Sequence, residues 1–279
     1  MRKLFFPVTV AASLLVLTGC PKQKESTDEP MTQAEASQAL EESTADSQAA
    51  SVTTSSIEIS TSFTIGKAVA DAAAEVKAFI ASQLACAKID IADNKLTVTY
   101  GALPGNCVYN GHTFSGTQSI TVVKNDDTIE VDHEWTDLSN GIVKVSGTAH
   151  VTWDFDNKTR HVVHDLTWTR IKDGKTGHGT GDRTQQPLAG GLTEGIQVDG
   201  SRTWTGTAGR WDLSIEGVQM RWKDPVPQAG TYRLATPKGR SIALSFSRVD
   251  ADTIAVTLAS GDKSFTFNVN SIGDSTPKS

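Results

Sequence analysis

The chain reads as an all-β protein: an antiparallel meander of about twelve strands, forming a large curved sheet or open barrel, with one N-terminal amphipathic helix. Three observations predict it. From Lys95 to Val269 apolar and polar residues alternate with the two-residue period of a half-buried strand. Turn clusters such as "NDDT", "LSNG", "FDNKT", "KDGK", "TPKGR" and "SGDK" punctuate that alternation at hairpin distances. Helical spacing is confined to "GKAVADAAAEVKAFIASQLAC", where Val69, Ala73, Val76, Ile80 and Leu84 recur at three- and four-residue steps while Lys67, Asp71, Glu75 and Lys77 fall elsewhere on the wheel.

The helix needs a surface for its apolar stripe, and only sheet follows it. Part of that sheet is duplicated: "SGTQSITVVKNDDT" from Ser115 aligns with "SGTAHVTWDFDNKT" from Ser146, and "TIEVDHEWT" from Thr128 with "TRHVVHDLT" from Thr159. A turn at Asp156 and Asn157 pairs Val151 with Val162, Ala149 with His164 and Gly147 with Leu166. A three-residue loop at Ser139, Asn140 and Gly141 sets His133 beside Gly147 and Val131 beside Ala149, and places Gly116 opposite Trp135. From Pro225, after "PVPQAG", the chain is either a second subdomain or the closing strands of one sheet. The unbroken strand period favours the second. The domain so defined runs from 57 to 270, and residues 271–279 are expected to fray.

The first nineteen residues stand apart. Arg2 and Lys3 precede the apolar "LFFPVTVAASLLVL", too short for a stable span, and "LTGC" closes the segment at Cys20. This resembles a bacterial lipoprotein signal peptide, a likeness that covers residues 1–20 only. It implies cleavage before Cys20, acylation of that cysteine, and a lipid bilayer as partner, held by chains worth about 0.8 kcal/mol per buried methylene. Pro21 in place of Asp after the cysteine implies the outer membrane. Losing Arg2 and Lys3 leaves 24 basic residues against 32 acidic, a net charge of −8, which argues against nucleic acid as a partner.

From Cys20 to residue 56 the sequence is Ser, Thr, Ala, Gln and Glu with few aliphatics, and it reads as a disordered tether, with "QAEASQALEE" at most a transient helix. In an exported chain whose first cysteine is lipidated, Cys86 and Cys107 are the remaining pair and are expected to form a disulfide; two buried free thiols are the alternative.

The duplicated His-acid pair is the only hint of chemistry. A strand alternates its side chains between faces, so Glu134 points away from His133, and Asp165 from His164. The register above separates the two histidines by about 11–12 Å, too far for a shared zinc, and makes His133 and His164 scaffold residues, with a metal site only a remote alternative. His112, His150, His161 and His178 lack ligand spacing; Glu130, Asp132, Glu134 and Asp165 read as a solvated face. The Gly-rich "GHGTGDRT" leads into no helix and is no phosphate loop. No GxSxG elbow occurs, and the six tryptophans read as core. Nothing in the sequence calls for a cofactor or names a catalytic residue. The leading expectation is therefore a non-enzymatic binding module offering a sheet face to an apolar or peptide ligand. The alternative is a structural or surface-interaction protein presenting polar strands to envelope polymers, and a metal-dependent hydrolase comes last. A cavity beside the helix favours the carrier; a filled one favours the scaffold.

Overall fold

In the computed structural model, described for residues 30–60, 69–93, 95–124, 129–154, 156–222, 224, 226–270 and 275–277, two helices precede sixteen strands. The helices are α1 (Gln33–Ser60) and α2 (Val69–Gln83). The strands are β1 (Lys88–Ala92), β2 (Lys95–Tyr100), β3 (Val108–Tyr109), β4 (His112–Thr113), β5 (Ser115–Lys124), β6 (Ile129–Ser139), β7 (Val143–Asp154), β8 (Thr159–Arg170), β9 (Thr176–Leu188), β10 (Gly191–Gly206), β11 (Gly209–Arg221), β12 (Ala229–Ala235), β13 (Ser241–Arg248), β14 (Thr253–Ser260), β15 (Lys263–Asn270) and β16 (Ser275–Pro277).

Fourteen of these strands form one antiparallel meander in chain order, and β3 and β4 form a separate hairpin. The sheet is open, with β1 and β16 at its two edges. Strand β12 pairs directly with β11, so the residues after Pro225 continue the same sheet, and β16 extends it within the tail expected to fray. Register shifts interrupt the ladders at Ser115/Thr117, Trp135/Leu138, Gly191/Ile196, Val198/Gly200 and Glu216/Gln219. Each such irregularity bends and twists its strand, which curls a long sheet around a concave face.

That concave side is the core, and α1 lies in it. This corrects the tether expectation: Gln33–Ser60 is a 28-residue helix, and every residue from Glu42 to Ser60 is buried. The helix begins with a capping box, in which Glu35 N donates to Thr32 Oγ1 (3.2 Å) and Thr32 N donates to Glu35 Oε2 (2.9 Å). Its polar surface is tolerated inside because hydroxyls donate back to its own carbonyls, as Thr53 does to Ala49, Ser56 to Thr53 and Ser60 to Ser56, while the sheet supplies partners for the rest. Helix α2 fits the expected pattern, with Val76, Ile80 and Leu84 buried and Lys77, Ala81 and Ser82 exposed.

After α2 the chain is tied back on itself. Cys86 and Cys107 form a disulfide (Cα–Cα 5.3 Å), Cys86 N donates to Asn106 O, Leu103 N donates to Cys86 O, and Asn106 Nδ2 caps the carbonyl of Gln83. This staple holds the β3–β4 hairpin over α1, where His112 Nε2 meets Ser51 Oγ at 3.2 Å and His112 Nδ1 accepts from Asn140 Nδ2 at 3.1 Å. The expected lipobox and Cys20 lie outside the described residues. Among the described residues no helix is long and apolar enough to cross a membrane, which says nothing about strands.

Candidate functional site

The two histidines of the repeat face the lumen that α1 fills. The pairing of β7 with β8 is as expected from the Asp156–Asn157 turn: Val151 with Val162, Ala149 with His164, Gly147 with Leu166. The pairing of β6 with β7 differs by two residues. His133 lies opposite Ala149, Val131 opposite Val151 and Trp135 opposite Gly147. The cause is the connection: Leu138 lies opposite Val145, three residues beyond the partner that a Ser139–Gly141 loop would give it, and the bulge between Trp135 and Leu138, with Asp137 in a left-handed conformation (φ 53°), takes one of the three back.

Both histidines therefore neighbour the same residue, Ala149, from opposite sides, about 10 Å apart at two strand spacings. They are buried, at 1% and 6% exposure, more deeply than a place on the apolar face required. His133 Nδ1 accepts from Gln118 Nε2 (3.0 Å), and the same amide takes the Tyr100 hydroxyl at Oε1 (2.6 Å) and reaches Ser60 Oγ on α1. The imidazole stacks on Trp135, whose Nε1 donates to Ser56 Oγ (2.8 Å). His164 Nδ1 accepts from Arg183 Nη2 (2.9 Å). Burial, followed by nearby arginines, holds His133 down to about 3 and His164 down to about 2, so both rings are neutral acceptors. No group of three or more His, Cys, Asp or Glu side chains placed to hold a metal occurs among the described residues.

What these rings serve is the seat of α1. Arg160 forms a buried ion pair with Glu58 and donates through Nε to Gln185 Oε1 (2.6 Å). Arg202 forms a second with Asp46 (2.8 Å) and donates to the Asp46 carbonyl, Ser47 Oγ and the Tyr232 hydroxyl. Trp204 Nε1 approaches Glu42, and Gln185 approaches Thr54. Burial pushes the Glu58 and Asp46 carboxyls up and the Arg160 guanidinium down, with the opposite charge of each partner offsetting part of the cost. Among the described residues Arg183 holds no carboxylate; its neighbours are His164 and, further off, the charges of Arg202 and Asp46, and burial brings it down to about 9.

The glycines make room for this lining. "GHGTGDRT" is part of strand β9, and three of its inward positions are glycine. A β-carbon on Gly177 would enter the Trp168 ring, one on Gly179 would meet Trp204, and one on Gly181 would meet His164 and Arg202. Gly147 (φ 140°) serves a different end from the one its register implied: a β-carbon there would strike the backbone of Asp165 and Leu166, so close strand contact, not only a large neighbour, requires glycine. Gly116 lies beside the Asp137 bulge, opposite Tyr100 and not Trp135.

The acids of the repeat do orient histidines, but on the convex face and across strands. Asp132 accepts from His150 Nδ1 (2.8 Å), Asp165 from His178 Nε2 (2.7 Å) and Asp182 from His161 Nε2 (2.6 Å). Thr180 and Thr203 join hydroxyls at 3.1 Å beside them. Glu130 and Glu134 alternate with the buried positions of β6, and all six tryptophans are buried. The alternation of Asp and His on neighbouring strands was visible in the sequence; which pairs meet depended on the registers. No protein-family model, no curated protein and no solved structure matches this chain.

Proposed function

We propose that the chain is a lipid-anchored envelope protein acting as a structural or surface-interaction module, which offers the polar convex face of its sheet to hydroxyl-rich envelope polymers. The observation that carries this reading is the burial of α1 around its whole circumference from Glu42 to Ser60. An apolar cargo would have to expel a helix held by two buried ion pairs, and breaking a buried ion pair is costly. The convex side stays open to a partner, and there His–Asp and Thr–Thr pairs present donors and acceptors together. The anchoring half of the proposal rests on "LTGC" and acylation of Cys20, with the bilayer as partner and the outer membrane as address.

Two measurements test it. Native mass spectrometry of protein extracted from its membrane should give the mass of the acylated chain with no further lipid, and the purified domain should co-sediment with peptidoglycan sacculi. Joint replacement of His150, His161 and His178 by alanine should reduce that sedimentation. A stoichiometric lipid in the spectrum would restore the carrier reading.

A second reading has its own support. The concave face already binds a polar, acidic helix through Arg160 and Arg202, so a peptide of similar pattern is the ligand it would accept if α1 withdrew. Hydrogen exchange decides between the two: slow exchange throughout 42–60, matching the central strands, favours the filled scaffold, and selective fast exchange there favours peptide binding.

A further inference from the structure

A cleft of about 580 Å³ opens at one end of the sheet, and none of the convex His–Asp pairs lines it. The tip of the β3–β4 hairpin brings Asn110 to it, the start of β10 brings Glu194, the end of β11 brings Arg221, and the loops after β11 and β13 bring Asp224 and Asp252. Its size lies within the range of small-molecule sites, roughly 300–1,000 Å³.

The walls are held from behind. Arg248 spends its guanidinium on the Asp224 carboxylate, on Gln228 Oε1 (2.9 Å) and on the carbonyls of Asp250 and Ala251 (3.2 Å each), which joins the two loops. Trp222, also in the wall, is fixed by its Nε1 bond to Leu192 O (2.6 Å). Asn110 sits at a left-handed turn (φ 48°) on a hairpin whose base carries the disulfide. Among the described residues, Arg221 has one side-chain bond, to Glu194 Oε1 (3.2 Å), which leaves most of its donors for a ligand. The Asp252 side chain is exposed at the rim.

Charge selects the ligand class. Both arginines are already matched by carboxylates, and Asp252 adds a further negative charge, so among the described residues the cleft has no surplus cation with which to attract a phosphate or sulfate. An apolar ligand would strand the polar rim without water. A neutral molecule whose groups both donate and accept satisfies Arg221, Asn110 and Asp252 at once. We propose that this cleft binds a neutral saccharide of one or two rings, its hydroxyls bonded to Asn110, Arg221 and Asp252 beside the small exposed edge of Trp222. The site is independent of the convex face, so it can stand if that reading falls.

Saturation-transfer NMR on the full mature chain, with N-acetylglucosamine, chitobiose and maltose as probes and inorganic phosphate as the anionic control, tests it. At least one sugar should show transfer and phosphate should not shift the Trp222 indole signal. Arg221→Ala and Asp252→Ala, both at exposed side chains, should each weaken the sugar by roughly tenfold with unchanged melting, the loss expected for one charged hydrogen bond. Joint replacement of His150, His161 and His178 by alanine should leave sugar binding intact. No transfer from any probe, binding indifferent to both cleft substitutions, or a preference for phosphate would each overturn the proposal.

Discussion

The two helices of this protein are opposites. Helix α2 shows the expected stripe, with Val76, Ile80 and Leu84 inward and Lys77 outward, and it packs as a cover. Helix α1 has no stripe: Leu40, Val52, Ile57 and Ile59 are buried, and so are Glu42, Asp46, Ser51 and Glu58. Amphipathic periodicity reports a boundary between core and water. A helix enclosed on all sides has no such boundary, and when the enclosing wall carries Arg160, Gln185, Arg202 and two histidines, its composition can be that of a soluble linker.

The contrast can be broken most directly at Glu58. Glu58→Ala removes the carboxylate that pairs with the buried Arg160 guanidinium and should cost about 3–5 kcal/mol in denaturant unfolding, whereas Lys77→Ala on α2 should stay within about 0.5 kcal/mol. Equal costs would mean that α1 is not core. Next comes the wall itself: Gly147→Val combines overpacking against the Asp165 backbone with a disfavoured positive φ and should cost about 2–4 kcal/mol, measured by the same unfolding curves. A mild effect there would show that β7 and β8 are not in the close contact described. Reducing the Cys86–Cys107 bond, which holds the hairpin over α1, should destabilise by about 3 kcal/mol or less and should speed exchange in α1 more than in β13–β15. Uniform exchange would detach the hairpin from α1.

Smaller effects separate the two histidines. His164→Phe removes the acceptor of buried Arg183 and should cost about 1–3 kcal/mol, while His133→Phe removes a ring whose Nε2 has no partner and leaves Gln118 bonded to Tyr100 and Ser60, so it should cost under about 1 kcal/mol. Acid adds a sign. His112, His133 and His164, ordinarily near 6.5, are held down to about 4, 3 and 2, chiefly by burial, so the fold binds fewer protons than the unfolded chain below pH 6.5. Their contribution is complete above pH 6.5 and is lost as pH falls towards 4 and beyond. Glu58 and Asp46, raised by burial, act in the opposite sense, since their protonated forms are favoured in the fold. His133→Phe should flatten the decline of Tm between pH 6.5 and 4; an unchanged slope would remove that ring from the account. The smallest effect belongs to the convex face, where breaking any one of the three exposed His–Asp pairs should cost no more than about 1 kcal/mol.

Particular residues show what could be read in advance. The turn at Asp156 and Asn157 carried the β7–β8 register correctly because every strand position there obeys a two-residue period. The β6–β7 register differs by two residues because the connection closes on Ser139 and Lys144, a shift of three, and a bulge at Asp137, where no glycine marks the left-handed backbone, takes one back. Helix α1 announced its start in "TQAE", a Thr-x-x-Glu capping box, but its burial depended on side chains 58 to 162 positions away. The cleft draws on residues from 110 to 252, a set that no stretch of sequence brings together.

Strand alternation, the order of the meander, the amphipathic face of α2, the Cys86–Cys107 pairing and the expectation of an anchor at Cys20 were all legible along the chain, because each depends on near neighbours or on the mere supply of cysteines. Long-range packing was needed to make a Ser- and Glu-rich segment core, to set His133 and His164 on either side of one alanine, and to give Asp165 to His178 instead of its sequence neighbour. The physical reason is that burial of a polar group becomes tolerable only when a partner is already in place, and those partners arrive from strands far along the chain.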